Sequence, residues 1–259
     1  MIELPDSATF SATFADPRTY AAMGVSILAG AVRGFSGFGS ALIFVPLMSA
    51  IYDPRTAAGT FLLIDFAVAL AVLPTVSREA HWRDVFPLAA AAVIAAQFGA
   101  LILIYTDAIT LRWGIAVVVL ILLAVLMSGR RYHGRPKLPV TLAVGGLAGT
   151  LGGAIQIVGP PVIVYWLGSS SSPTIVRANL NAFFGVFATA LFVTYIVRGL
   201  LPANVFVLAL LLGPLQVLAL SSGTRLFHAS SAETYRRVAY AIVATAALVS
   251  MPVWDSLIR

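Results

Sequence analysis

Residues 30–46 read GAVRGFSGFGSALIFVP and lie inside an apolar run that extends from Tyr20 to Tyr52. Gly30, Gly34, Gly37 and Gly39 weaken a helix there. Arg33 puts a full charge into the run, and Ser36 and Ser40 add hydroxyls. A related stretch, residues 145–161, reads GGLAGTLGGAIQIVGPP. At an offset of 115 positions Gly30 meets Gly145, Gly34 meets Gly149, Gly37 meets Gly152 and Pro46 meets Pro161. Interrupted apolar segments at matching places in two halves of a chain point to the binding site of a transporter.

Composition supports a membrane setting. Of 259 residues, 60% are hydrophobic and only 10% charged, too few charges to cover a soluble surface of this size. The net charge of +6 does not indicate nucleic acid, because the bases sit in short loops between apolar runs rather than on one polar face with aromatic residues. With no cysteine, disulfides, thiolate metal sites and haem attachment are ruled out. His81, His133 and His228 are far apart in connecting segments, so no metal site is expected, and no cofactor either. Residues 1–19 lack the basic start of a signal peptide and are read as a short polar tail, interfacial through Phe10 and Phe14.

A bilayer core takes about 20 apolar residues per helix. Runs of that kind fall at roughly 20–52, 57–76, 85–105, 109–128, 138–168, 174–198, 203–222 and 235–254. The first and fifth are longer and carry the glycine-rich stretches. If every run crosses once, there are eight spans and the repeats are parallel. If the two long runs enter and return as hairpins of two shorter helices, each half is one hairpin plus three spans, and the second half is inverted. The hairpin topology places more Lys and Arg in the cytoplasm, and inverted repeats are common in secondary transporters. The expected fold is therefore an all-α polytopic membrane protein with two inverted repeats. Each repeat holds a glycine-interrupted re-entrant segment and three transmembrane helices. The expected divisions are the tail 1–19, a first repeat 20–128, a basic cytoplasmic linker 129–137 and a second repeat 138–259. After a short insertion near residues 168–172 the offset becomes 119: Pro54 meets Pro173, Thr60 meets Asn179 and Gln97 meets Gln216.

With these residues in view the chain resembles the TauE/SafE family, the sulfite exporter-like membrane proteins, from about Tyr20 to Pro252. GFSGFGSALIFVPL at 34–47 with the downstream PRTAAGT, and GLAGTLGGAIQIVGPPVIVYWL at 146–167 with the downstream RANLNAFF, carry the resemblance. It implies a secondary transporter, commonly an exporter, of small sulfur-containing anions such as sulfite or C2 organosulfonates, working by alternating access around a central anion site. An anion channel, or a carrier for a different small organic anion, is the alternative. An enzyme is not expected, since no histidine or paired carboxylate lies near the glycine motifs. A bacterial-type inner membrane is the expected location. Membrane lipids, and further copies of the chain in a homo-oligomer, are the expected partners.

A sulfonate offers three acceptor oxygens and one delocalised charge. It calls for hydrogen-bond donors and positive potential, which the free N–H groups of an interrupted helix supply. The segments 36–40 and 152–156, with Ser36, Gly37, Gly39, Ser40, Gly152, Gly153 and Gln156, are the candidate irregular backbone. Close helix packing is the competing use of the same small residues. Arg33 is a candidate cation, with Asp65, the acid deep in a span, as an ion-pair partner or a proton carrier. Arg177 and Asn181 are one helical turn apart and share a face, with Asn179 between them. Gln97 and Gln216 offer neutral amides that either line the path or join helices, and Thr60 follows from its match to Asn179.

Overall fold

The computed structural model describes residues 5–36, 39–76, 78–128, 137–167, 172–228 and 232–255. These form helices α1 (Ser7–Ala15), α2 (Pro17–Ser36), α3 (Ser40–Ile51), α4 (Pro54–Val76), α5 (Trp82–Tyr105) and α6 (Ala108–Met127). Then follow α7 (Leu138–Ile155), α8 (Gly159–Leu167), α9 (Pro173–Val197), α10 (Ala203–His228) and α11 (Ala232–Val249). No strand occurs among the described residues, and His228 closes α10 rather than lying in a loop. Three helix starts, those of α2, α4 and α9, are written in the sequence as an acidic or hydroxyl residue followed by proline. Asp53 Oδ1 accepts from the Arg55 and Thr56 N–H groups at 2.8 and 3.1 Å ahead of Pro54-led α4. Ser172 caps α9 through the Ile175 N–H, with Pro173 at the first helical position.

Pro54–Ala71, Trp82–Tyr105, Ala108–Met127, Leu138–Ile155, Thr174–Val197 and Ala203–Ser222 are each long and apolar enough to cross a membrane. Ser40–Ile51 and Arg237–Val249 are shorter apolar segments. On α5, Ile94, Phe98 and Tyr105 stand 64%, 62% and 82% exposed, an apolar stripe that water would not tolerate and lipid accommodates. The protein is a multi-pass, all-helical membrane protein.

Contacts divide the chain into two compact units. Unit 1 comprises residues 1–61, 106–127 and 199–259, and unit 2 comprises residues 62–105 and 128–198. Each unit draws on both halves of the sequence. In unit 1, α10 runs along α2, while α11 lies on α6 and α3. In unit 2, α5 runs along α7 and also meets α9.

The long runs fold back on themselves. The Thr19 hydroxyl, near the start of α2, lies 3.0 Å from the Tyr52 hydroxyl just past the end of α3, and the Arg18 guanidinium sits 4.9 Å over the Tyr52 ring. A 20-residue helix is about 30 Å long, so this contact requires α3 to return alongside α2. In unit 2, Thr141 near the start of α7 hydrogen-bonds Tyr165 near the end of α8. The arms differ from the expected pair of short helices. α2 and α7 have 20 and 18 residues, and only α3 and α8, at 12 and 9, are short.

The glycines explain this difference, because most of them lie within helices. Ser26 Oγ donates to the Leu212 carbonyl at 2.8 Å, a Cβ at Gly30 would strike the Gln216 carbonyl, and one at Gly34 would strike that of Leu220. Positions 26, 30 and 34 thus step along positions 212, 216 and 220 in the same direction, so α2 and α10 are parallel with backbones in contact. Gly145, Gly149 and Gly153 step in the same way along Leu88, Ala92 and Ala96 of α5. Small residues four apart let membrane helices approach this closely. Gly30 and Gly34, read above as interruptions, are helix contacts, and so are their matches Gly145 and Gly149. The breaks fall later, at Gly39 and at Gln156.

Also in unit 1, Arg112 near the start of α6 reaches the region beyond α11. Its Nε and Nη2 donate to the Ser250 carbonyl at 3.3 and 3.1 Å, and its Nη1 meets Asp255 Oδ2 at 2.6 Å. The start of α6 therefore lies at the end of α11, and these two helices are antiparallel.

Candidate functional site

In unit 1 the break is made by Gly39, whose φ of 97° is left-handed and needs no side chain. It precedes α3 without a side-chain cap, so the first N–H groups of this 12-residue helix open at the break. Ser40 is the first residue of α3 and is buried. Arg33 stands half-buried in the last turn of α2, and Ser36 closes that helix. Gly37 lies outside the described residues.

Two polar groups of unit 1 stand out. Thr60, on α4, is 0% exposed, and Gln216, on α10, is 2% exposed. The Thr60 hydroxyl and the Gln216 amide oxygen make no hydrogen bond. A crevice of about 620 Å³ lies at the end of the unit where α2, α4 and α10 begin, lined by Thr9, Thr13, Arg18, Asp53, Thr56 and Asn204 among others. There Arg18 holds Asp16 at 2.9 Å, and this hydrogen bond keeps the Asp16 carboxyl below the ordinary aspartate range. Thr60 lies one helical turn beyond Thr56.

In unit 2 the break is made by Gln156, which ends α7 with φ 59° and ψ 14°. A left-handed non-glycine residue costs about 1–2 kcal/mol and persists where the surroundings hold it. They do so through Tyr195 of α9, which is fully buried. Its hydroxyl donates to the Gly153 carbonyl at 2.8 Å and accepts from Gln156 Nε2 at 3.1 Å. The expected irregular segment 152–156 is therefore helical through Ile155, because Tyr195 satisfies one carbonyl of the last turn. A Cβ at Gly152 would come within 2.6 Å of the Phe187 ring, and Gly153 packs on Ala96.

The other unit 2 candidates separate. Asn179 is buried, and its Oδ1 accepts from the His81 N–H at 2.7 Å, holding the chain that enters α5. Gln97 donates from Nε2 to Thr194 Oγ1 at 2.8 Å, joining α5 to α9. Arg177 is exposed and Asn181 half-buried on the first turns of α9. Asp65 is half-buried on α4. Sequence reasoning missed Tyr195, Thr194 and the pair Thr141–Tyr165. Hydroxyls inside apolar runs were the available signal, but their partners lie on other helices. Among the described residues no cluster of His, Cys, Asp or Glu suits a metal ion.

The model of the family described as Sulfite exporter TauE/SafE matches residues 22–250, most of the chain and both hairpins. The chain belongs to the TauE/SafE family. No curated protein and no solved structure matches it. Membership in TauE/SafE, a transporter family, implies membrane transport of the sulfite and sulfonate type, with a small anion as substrate and lipid as surroundings.

Proposed function

We propose that this TauE/SafE protein is a secondary transporter, working as an exporter of small sulfur-containing anions such as sulfite or C2 organosulfonates, in a bacterial-type inner membrane. The observation that carries the reading is the pair of folded-back segments, one in each unit, each broken at a left-handed residue, 39 or 156. Half-helix ends at membrane depth expose N–H donors of the kind a sulfonate oxygen needs, and such backbone persists only where it is buried or lines an aqueous path. The anion site is built on the unit 1 break, with the start of α3, Gly39, Ser40 and Arg33 as contributors. Asp65 serves as an ion-pair partner or proton carrier.

An inverted repeat underlies the cycle. A hairpin adds no net crossing, so three spans bring each half out on the side opposite its entry. The antiparallel α6 and α11, at matching places in the two halves, support this; eight single spans would make them parallel. Alternating access follows from one inverted element moving against the other around the ligand.

The test is flux in proteoliposomes with sulfite, taurine, isethionate, sulfoacetate and acetate. Saturable flux with counterflow of a sulfur anion is expected. Flux that never saturates would identify a channel, and no flux of any sulfur anion under a proton or sodium gradient would refute the substrate assignment.

A further inference from the structure

The two shorter apolar helices of unit 1 leave a groove beside them. α11 lies on α3 and also touches α2, and the three border a cavity of about 370 Å³. Val238, Ala241, Ile242, Thr245 and Val249, at helical spacing on one face of α11, form one wall. Leu28 of α2 and Leu47 of α3 stand across it. Val238, Val249 and Leu28 are 50%, 55% and 37% exposed, so the groove opens outward rather than lying closed in the core. Its walls belong to the apolar segments Arg237–Val249 and Ser40–Ile51, and in a membrane such a face meets lipid.

The dimensions of the groove decide between occupants. From Val238 to Val249 is about 17 Å at the rise of a helix, close to the depth of one leaflet, about 15 Å. A volume of about 370 Å³ spread over that length leaves a channel about 5 Å across. Nonbonded carbons approach to about 4 Å, so one hydrocarbon chain fills such a channel. A second helix, about 10–12 Å across, does not enter it. The wall favours the same occupant, since Ala241 and Thr245 are short and no aromatic ring lines the groove.

Charge fixes the end from which the chain enters. Arg237 is exposed and precedes Ala241 by one turn on the same face of α11. It already has an interaction within the protein, and a guanidinium with five donors can add a phosphate to it. Past the opposite end, Arg112 is committed to Asp255 and to the Ser250 carbonyl. We propose that this groove holds one acyl chain of a phospholipid from the leaflet at the start of α11, with the headgroup phosphate at Arg237. That leaflet is the cytoplasmic one in the inverted topology. The chain packs on Leu47 of α3, the returning arm that begins at Gly39, so lipid completes a wall of that arm.

The experiment uses the full chain in a sterol-based detergent, whose rigid rings are too wide for the groove. Dioleoylphosphatidylglycerol is expected to raise the melting temperature saturably by several degrees, and glycerol phosphate, a headgroup without chains, is expected to leave it unchanged. Thr245→Phe and Ala241→Leu fill the groove. Both should melt at or above wild type without lipid and lose most of the lipid-dependent rise. Ile27→Phe, exposed on α2 but outside the groove, should keep the full rise. Arg237→Gln should increase the lipid concentration that gives half the rise about tenfold. A full rise in both groove variants, an equal loss in Ile27→Phe, or groove variants that melt below wild type without lipid would each overturn the acyl-chain site. A wild-type dimer that both groove variants dissociate would overturn it in favour of a second copy, and an equal rise with glycerol phosphate in favour of the headgroup alone. An unmoved midpoint in Arg237→Gln would overturn the orientation. None of these readings depends on transport.

Discussion

Replacing Tyr195 by phenylalanine tests what holds the unit 2 break. The lost hydroxyl donates to the Gly153 carbonyl at 2.8 Å and accepts from Gln156 Nε2 at 3.1 Å, and nothing at Tyr195 is exposed to solvent. Each buried group stranded by losing its partner costs about 1–3 kcal/mol, so Tyr195→Phe should destabilise by about 2–4 kcal/mol after local relaxation. Gln156→Gly behaves otherwise. It gives up one hydrogen bond, about 1 kcal/mol, and relieves a left-handed backbone worth about the same, so alone it should be close to neutral. On the Tyr195→Phe background the same change removes a stranded amide as well and should restore about 1–2 kcal/mol. Unfolding titrations of the four proteins in one detergent give the cycle directly. A Tyr195→Phe protein within about 0.5 kcal/mol of wild type, or a Gln156→Gly effect equal in both backgrounds, would refute the bond as the holder of the break.

Other consequences are shorter to state. At Gly149 a Cβ would strike the Ala92 backbone, whereas at Gly146 nothing lies within 4 Å. Gly149→Ala should therefore destabilise by about 1–3 kcal/mol and Gly146→Ala should stabilise by up to about 1 kcal/mol, read by thermal melting. Arg112→Gln removes the contacts to Ser250 and Asp255 and should cost about 1 kcal/mol, since the ion pair is partly exposed and contributes little. The chain has no cysteine, so a thiol introduced at Arg55 or at Arg237 is its only one. Impermeant reagents should label these two positions from opposite sides of the membrane, and labelling from one side would exclude the inverted repeat.

Much of the fold is legible in the sequence, because hydrophobic run length and charge placement are dictated by the bilayer itself. The returning hairpins were legible through the excess length of two runs. The purpose of the glycines was harder to read, since a break and a close helix contact use the same residue. The four-residue step through Ser26, Gly30 and Gly34 was the clue that favoured contact. The unit 2 break was placed slightly early because Gln156 adopts a backbone that glycine or asparagine would have advertised. Gln97 and Gln216 look alike in the sequence, and they differ only because Thr194 of another helix stands opposite the first. Partners on distant helices are what a single sequence conceals, and for that reason the candidate site was less legible than the helices that carry it.

The parallel contacts α2–α10 and α5–α7 carry a consequence for biosynthesis. A growing chain inserts α2 early, but the helix that covers its Ser26–Gly30–Gly34 edge is among the last to leave the ribosome. α5 likewise waits for α7, beyond the basic linker. Contacts so far apart in the chain form slowly, because ordering the intervening segment comes first. Neither half can complete a unit alone, so fragments 1–128 and 129–259 should each be degraded when expressed singly and persist when expressed together. The protein finishes as an exchange of partners between its two halves, and quality control in the membrane has that whole interval in which to intercept it.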